Sequence, residues 1–231
     1  MRKVKFSLVI PAYNEEKRIK KTLPTLAKLG NLYEIIMICD GKDKTAEIAK
    51  KSRKPIKVLS YPFRLGKGKA IIEGFKNAKG EIVGFCDADQ PALYKEFERL
   101  VKILKRKKEV DMVIGSRYIK GARVRISLKR KILSRIFNCL SETLFRFGIK
   151  DTQCGLKVMK KKALDSIIDD MKVVGWLFDI ELIYKFKKRG FKILEAPIKW
   201  QETKGSKFSL EMLIDMFLSL IMFWLREERY K

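Results

Sequence analysis

The chain has 231 residues, 46% of them apolar, with aromatic residues throughout, which allows a sizeable core and excludes a disordered polymer. Its formal net charge of +26 predicts an anionic partner (nucleic acid, a lipid headgroup surface or a phosphorylated substrate), part of the excess being an ordinary Lys-rich solubility shell. Histidine is absent and Cys39, Cys86, Cys139 and Cys154 form no C-x-x-C pair, which argues against zinc and leaves catalysis to carboxylates, lysine, a metal or a substrate that is already a nucleophile.

Apolar runs alternate with amphipathic stretches. Phe6–Ile10 reads as a strand and Asn14–Leu29 as a helix, followed by strand Glu34–Cys39, helix Lys44–Lys51, strand Ile56–Leu59 and helix Lys67–Asn77. Strand Ile82–Cys86, helix Leu93–Lys105 and strand Asp111–Gly115 complete the series. This rhythm predicts an α/β fold, a mostly parallel sheet with helices on both faces. Cys39 and Cys86 lie in apolar runs, as small core residues do in a reducing compartment. The first apolar run is too short for a signal peptide, so a cytoplasmic location is expected.

Beyond residue 119 the rhythm changes. Ser127–Phe147 sets Leu128, Ile132, Leu133, Ile136 and Phe137 against Lys129, Arg130, Lys131 and Arg135 at helical spacing. Such a basic amphipathic helix suits a membrane surface, and equally an ordinary helix packed on the sheet. Phe208–Leu225 is apolar on most sides yet contains Glu211 and Asp215. Its uninterrupted part, Met216–Leu225, is shorter than the ~20 residues needed to cross a bilayer. It lies in the membrane interface or packs as a core helix or dimer face.

Polar groups follow the end of each of the five strands: Pro11-Ala-Tyr13-Asn14-Glu15, Asp40-Gly-Lys-Asp-Lys-Thr45, Arg64-Leu-Gly-Lys67-Gly-Lys69, Asp87-Ala-Asp89-Gln90 and Gly115-Ser-Arg117-Tyr118. Ligands of open α/β sheets bind at the carboxyl ends of strands, so five such tips at one edge amount to a site. Asp87 and Asp89 repel each other unless a cation lies between them, and a divalent ion carrying a diphosphate is the natural candidate. A solvated turn in which Asp89 caps the helix starting near Pro91 is the alternative.

Together these segments resemble the nucleotide-sugar-binding half of inverting GT-A glycosyltransferases. They resemble more closely the polyprenyl-phosphate hexosyltransferases, the group of dolichyl-phosphate β-glucosyltransferases and mannose synthases. Asp151-Thr-Gln-Cys-Gly-Leu-Lys157, Gly175-Trp-Leu-Phe-Asp179-Ile-Glu181 and Trp200-Gln-Glu-Thr-Lys-Gly-Ser-Lys207 extend the likeness over about residues 5–210 and favour the glucosyl branch. The resemblance implies a Rossmann-like GT-A domain over 1–207, with a nucleotide-sugar half (1–118) and an acceptor half (119–207) bearing the basic interfacial helix. Residues 208–231 then form an amphipathic helix on the membrane or against the domain.

It also implies a donor site of Pro11, Tyr13, Glu15, Asp40, Lys67, Lys69, Asp87 and Asp89, with Tyr13 under the nucleobase and Asp40 accepting the imide N–H of uracil. On a plainer reading Tyr13 packs on the sheet edge, Asp40 caps the helix at Lys44 and the lysines belong to a solvated turn. Mg2+ or Mn2+ falls to Asp89, with Asp87 nearer the ribose. Gln90 is a further candidate ligand, although it stands one residue earlier than the Gln of the mannose branch. Arg117 offers a bidentate fork, and Lys207 a point charge, to the acceptor phosphate or the diphosphate. Asp151, Asp179 and Glu181 fall on the acceptor side. Asp179 and Glu181 are two apart on a helix, so at most one faces the site, and Asp179 serves equally as a helix cap.

The implied reaction is attack of a polyprenyl (dolichyl) phosphate on the anomeric carbon of a nucleotide-activated hexose, UDP-glucose being favoured, to give a β-linked lipid phosphosugar. Asp89, Arg117, Lys207 and Asp179 carry it. A phosphate monoester with a second pKa near ~6 is largely ionised at neutral pH and needs no base, which suits a chain without histidine. The enzyme would sit on the cytoplasmic face of an anionic membrane. GDP-mannose or UDP-N-acetylhexosamine as donor, or a sugar hydroxyl as acceptor, are the alternatives within the fold. A basic nucleic-acid-binding protein is the rival outside it, although the aromatics fall in apolar runs and not along a basic groove, so no specific nucleic acid is expected.

Overall fold

The apolar runs become strands because both faces of each are covered. In the computed structural model, which describes residues 5–30, 32–89, 93–172, 175–202 and 210–228, Leu8, Val9 and Ile10 are fully buried, as are Ile36, Met37 and Ile38. Burial on both faces is the signature of a sheet sandwiched between helices, and each such side chain contributes ~1.5–3 kcal/mol. The chain runs β1 (Phe6–Ala12), α1 (Glu16–Leu26), β2 (Tyr33–Cys39), α2 (Thr45–Lys50), β3 (Lys57–Ser60), α3 (Lys67–Lys76), β4 (Ile82–Cys86), α4 (Leu93–Arg106) and β5 (Met112–Ser116). There follow β6 (Arg123–Arg125), α5 (Leu128–Phe145), β7 (Leu156–Lys160), α6 (Lys161–Asp165), a 3-10 turn (Ile168–Asp170), α7 (Phe178–Lys188), β8 (Ile193–Pro197), β9 (Lys199–Gln201) and α8 (Leu210–Glu228).

Seven strands form one sheet in the order β3-β2-β1-β4-β7-β5-β8. All are parallel except β7, which pairs antiparallel with both β4 and β5. The sheet is therefore mostly parallel, as the alternation predicted, but its middle is closed by a strand from the second half of the chain. β6 and β9, which the sequence reading did not anticipate, form a separate parallel pair through Arg123–Arg125 and Lys199–Gln201. Connection order reverses between β1 and β4. Such a switch point opens a crevice at the carboxyl ends of the strands.

Cys39 and Cys86 are buried core residues, as expected, and Cys154 joins them. α5 buries Phe137, Asn138 and Ser141, and α8 buries Met216, Leu220 and Phe223. The two helices meet through Phe137–Phe217 and Phe145–Phe223, with ring centroids 5.5 and 5.6 Å apart. Their outer faces stay apolar: Leu128, Ile132 and Ile136 on α5, and Ile214, Leu218, Ile221, Met222 and Leu225 on α8, are exposed. Among the described residues no helix is long and apolar enough to cross a membrane.

Candidate active site

The tips of β1, β2, β4 and β5 and the turn before α3 converge on one cavity of about 620 Å3. Pro11, Tyr13 and Glu15 line it from β1, Asp40 from β2, Arg64 and Lys67 from the segment after β3, Asp87 and Asp89 from β4, and Arg117 from β5. Leu133, Ser134 and Phe137 of α5 and Met216 of α8 also line it.

Asp87 sits against the backbone of Gly155. A Cβ on Gly155 would lie 1.9 Å from Asp87 Oδ2, so only glycine leaves room for this carboxylate. Lys67 Nζ reaches Asp87 Oδ1 at 3.2 Å and Asp179 Oδ2 at 3.7 Å. Gly66, at φ +83°, supplies the left-handed turn that starts α3 with Lys67 facing inward. Lys157, fully buried in β7, donates to Asp179 and, at 2.9 Å in each case, to the carbonyls of Thr152 and Cys154. The result is a row of alternating charges, Lys157, Asp179, Lys67 and Asp87, running from the core to the cavity. Burial disfavours the charged Lys67, but Asp87 and then Asp179 more than offset it, so its pKa is raised and it stays an ammonium. Burial also pushes the Asp87 carboxyl up; Lys67 opposes this, while Asp89 and Asp179 add to it.

Asp89 Oδ2 faces Arg18 Nη1 of α1 at 3.5 Å, and Arg18 Nε meets Glu15 Oε2 at 2.6 Å. The Thr22 hydroxyl donates to the Ala88 carbonyl at 2.8 Å and ties the loop between the two aspartates to α1. Asp89 is thus paired with α1 and lines the cavity, while Gln90, Pro91 and Lys207 lie outside the described residues. Among the described residues no three carboxylate, thiol or imidazole groups converge as a metal site. Among the described residues, the end of β4 offers an ion the pair Asp87 and Asp89. That donor set fits a hard divalent cation whose remaining positions are filled by phosphate oxygens and water.

Several expectations are corrected by the geometry. Asp40 does not cap α2: its Oδ2 accepts the Leu65 and Gly66 N–H groups at 2.9 and 3.1 Å, holding the turn before α3, and Asp43 Oδ1 accepts the Thr45 N–H at 3.0 Å instead. Tyr13 is covered by the Arg64 guanidinium, 4.5 Å from the ring centroid. Lys69 is exposed and is not part of the cavity wall, because two residues along a helix it points away from the side occupied by Lys67. Arg117 does not present its fork to the cavity. Its Nε and Nη2 meet Asp151 Oδ2 and Oδ1, both at 2.8 Å, and its backbone N–H adds a third bond. Asp151 is correspondingly buried beneath Arg117 and not on the acceptor surface. Asp179 is no helix cap but the partner of two lysines. Glu181 faces the opposite way, accepting the Lys172 N–H at 3.0 Å.

Arg18, Arg130, Gly155 and Lys157 were not given a role in the site by the sequence. Arg130 and Arg117 lie on the ring of Trp200, at 5.2 and 5.4 Å from its centroid. Arg18 and Gly155 carried no local signal. Lys157 did, as a lone charge inside the apolar run Leu156–Met159, a pattern that survives burial only with a partner.

The family model for glycosyl transferase family 2 matches residues 7–168. A dolichyl-phosphate beta-glucosyltransferase of Trichomonas vaginalis is 37% identical over 234 residues, spanning 94% of this chain and 72% of that protein. The Homo sapiens dolichyl-phosphate beta-glucosyltransferase is 32% identical over 222 residues, 87% of this chain and 68% of its own. Among solved structures, glucosyl-3-phosphoglycerate synthase of Mycobacterium tuberculosis, crystallised with Mn2+, UDP-glucose and phosphoglyceric acid, superposes with a TM-score of 0.74 at 22% identity, covering 94% of this chain and 77% of that one. Mannosyl-3-phosphoglycerate synthase of Rubrobacter xylanophilus gives 0.73 at 18% identity, covering 99% and 76%. The structural likeness speaks for the shared GT-A fold, and the sequence matches for an enzyme and not a basic nucleic-acid-binding protein: the chain belongs to glycosyl transferase family 2 and is a glycosyltransferase.

Proposed function

We propose that the protein transfers glucose from UDP-glucose to a polyprenyl phosphate of the dolichyl type, inverting the anomeric centre to give a β-linked lipid phosphosugar. The observation that carries this reading is the lining of the cavity. It is shared by the Asp87–Asp89 pair and by residues of α5 and α8, whose outer faces are apolar and exposed. A charged donor and a lipid-borne acceptor can thus meet in one site. The names of the relatives support the glucosyl donor and the lipid acceptor, and Mn2+ with UDP-glucose in a neighbour of the same fold supports a metal-assisted reaction.

On this reading residues 1–118 bind the nucleotide sugar and residues 119–207 the acceptor. Tyr13, Arg64 and Asp40 receive the base, Pro11 and Glu15 shape the wall beside it, and Lys67 neutralises the diphosphate. Mg2+ or Mn2+ held by Asp89 and Asp87, with Gln90 as a further ligand, would stabilise the negative charge that builds on the departing nucleoside diphosphate. Arg117 and Arg130, both against Trp200, supply positive potential for the acceptor phosphate, with Lys207 added from the following loop. Arg117 acts here as a charge anchored by Asp151 and not as a bidentate clamp. Asp179, committed to Lys157 and Lys67, serves as a positioning residue; a phosphate nucleophile asks for no base.

The exposed apolar residues of α5 and α8, with Lys129, Lys131 and Arg135 beside them, suit a peripheral seat on the cytoplasmic face of an anionic membrane. Each Lys or Arg near such a surface contributes ~1 kcal/mol. The test is incubation with polyprenyl phosphate, divalent metal and a panel of radiolabelled nucleotide sugars. An organic-extractable, mild-acid-labile product from UDP-glucose is expected. Label appearing only in a water-soluble glycoside, or only from another donor, would refute the assignment.

A further inference from the structure

We propose that Lys67 is a resident counter-cation of Asp87 that makes metal binding conditional on the nucleoside diphosphate. The inference rests on the donor site described under the proposed function. Its ground is the row of charges from Lys157 to Asp87. Lys67 lies between two carboxylates, 3.2 Å from Asp87 Oδ1 and 3.7 Å from Asp179 Oδ2. Lys157 is locked in the core by Asp179 and two carbonyls. Of the two lysines, only Lys67 lines the cavity and can exchange partners.

The four charges cancel in pairs, and Asp89 has a cation of its own in Arg18. A divalent ion arriving alone therefore meets carboxylates that are already compensated. To bind Asp87 it must displace an ammonium and then share the site with it, and the chain offers it no third anionic ligand among the described residues. A diphosphate changes both terms. Its oxygens give Lys67 a new partner within reach, which releases Asp87, and they complete the coordination shell of the ion. Asp179 keeps the lysine in the site while it moves. By linkage the metal must then raise diphosphate affinity by the same factor as the diphosphate raises metal affinity.

The experiment measures Mn2+ binding by the loss of the free-ion spin-resonance signal, with and without uridine diphosphate, and the affinity of uridine diphosphate with and without Mn2+. For the unmodified protein, each should tighten the other by at least about tenfold. In Lys67→Gln, Mn2+ alone should bind about tenfold more tightly than to the unmodified protein, and the mutual enhancement should shrink to within about threefold. Lys67→Arg, whose planar fork pairs more firmly with a carboxylate, should shift Mn2+ alone in the opposite direction. Thermal melts accompany each variant, and the arginine variant suffices should the glutamine variant not fold. A lysine with only a structural role would weaken both ligands together. That parallel loss, or unchanged Mn2+ binding in both variants, overturns the inference while leaving the donor site standing. Failure of the unmodified protein to bind uridine diphosphate with Mn2+ overturns the donor site as well.

Discussion

Replacing Gly155 by alanine would put a methyl carbon 1.9 Å from Asp87 Oδ2 and 2.5 Å from its Cγ. Contacts below 3.0 Å force a shift, so the carboxylate must retreat by about 1.1 Å merely to reach that limit. The retreat cannot be shared evenly, because Gly155 leads directly into β7, clamped between β4 and β5, whereas Asp87 lies just past the end of β4. Asp87 is the part that moves, and it moves within the proposed donor site. A misplacement of about 1 Å in a catalytic arrangement costs ~100-fold in rate, equivalent to ~2.7 kcal/mol of transition-state stabilisation. Overpacking adds ~1–3 kcal/mol of destabilisation, lowering the melting temperature by only a few degrees per kcal/mol in a chain of this size. Gly155→Ala is therefore expected to remain folded by circular dichroism and to lose about 100-fold in sugar transfer from UDP-glucose to a polyprenyl phosphate. A variant that transfers sugar within about threefold of the unmodified rate would refute the argument that Asp87 needs this seat.

Asp89→Ala should lower transfer by ~10³-fold or more while changing stability by no more than ~1 kcal/mol, since its pair with Arg18 is partly exposed; retained activity in a steady-state assay would remove Asp89 from the site. Glu202 accepts the Ser127 N–H at 2.8 Å and pairs with Arg130 at 3.2 Å, tying the end of β9 to the start of α5. Burial alone would raise its carboxyl, but the Ser127 N–H and Arg130 outweigh it, so the value lies below the ordinary 4.5. A depressed carboxyl contributes stability above the ordinary value and loses it as the pH falls through the depressed one. Glu202→Gln should thus melt lower than the unmodified protein at pH 7, with the gap closing as the pH drops below 4.5; a gap that persists in acid would count against the linkage. Sedimentation with anionic vesicles should weaken as salt rises and weaken further in a Leu218→Ser, Ile221→Ser double variant, whose substitutions lie on the exposed face of α8. Equal partition onto neutral and anionic vesicles would contradict the electrostatic part.

Strand tips were legible in the sequence because a buried parallel strand is a local signal: an apolar run, then an abrupt change to polar groups where the chain leaves the sheet. Five such tips in alternation with helices require one shared edge, and Pro11, Asp40, Lys67, Asp87 and Arg117 do line one cavity. The helix over 128–145 was equally readable from its spacing, and it packs one face through Phe137 while leaving Ile132 and Ile136 outside.

What the strand order did to those residues was not readable. β7 enters the sheet between β4 and β5, and that single insertion brings Gly155 under Asp87 and Lys157 to Asp179. It follows a segment that sets Asp151 beneath Arg117. Each of these pairs joins residues more than 20 positions apart, and local propensity carries no information about which buried charge will meet which. The sequence by itself determined an α/β sheet whose strand ends carry a shared set of polar and charged side chains. Only the tertiary structure decided which of them face the cavity and which neutralise one another, because a charge taken out of water must find its partner wherever the packing of distant segments puts one.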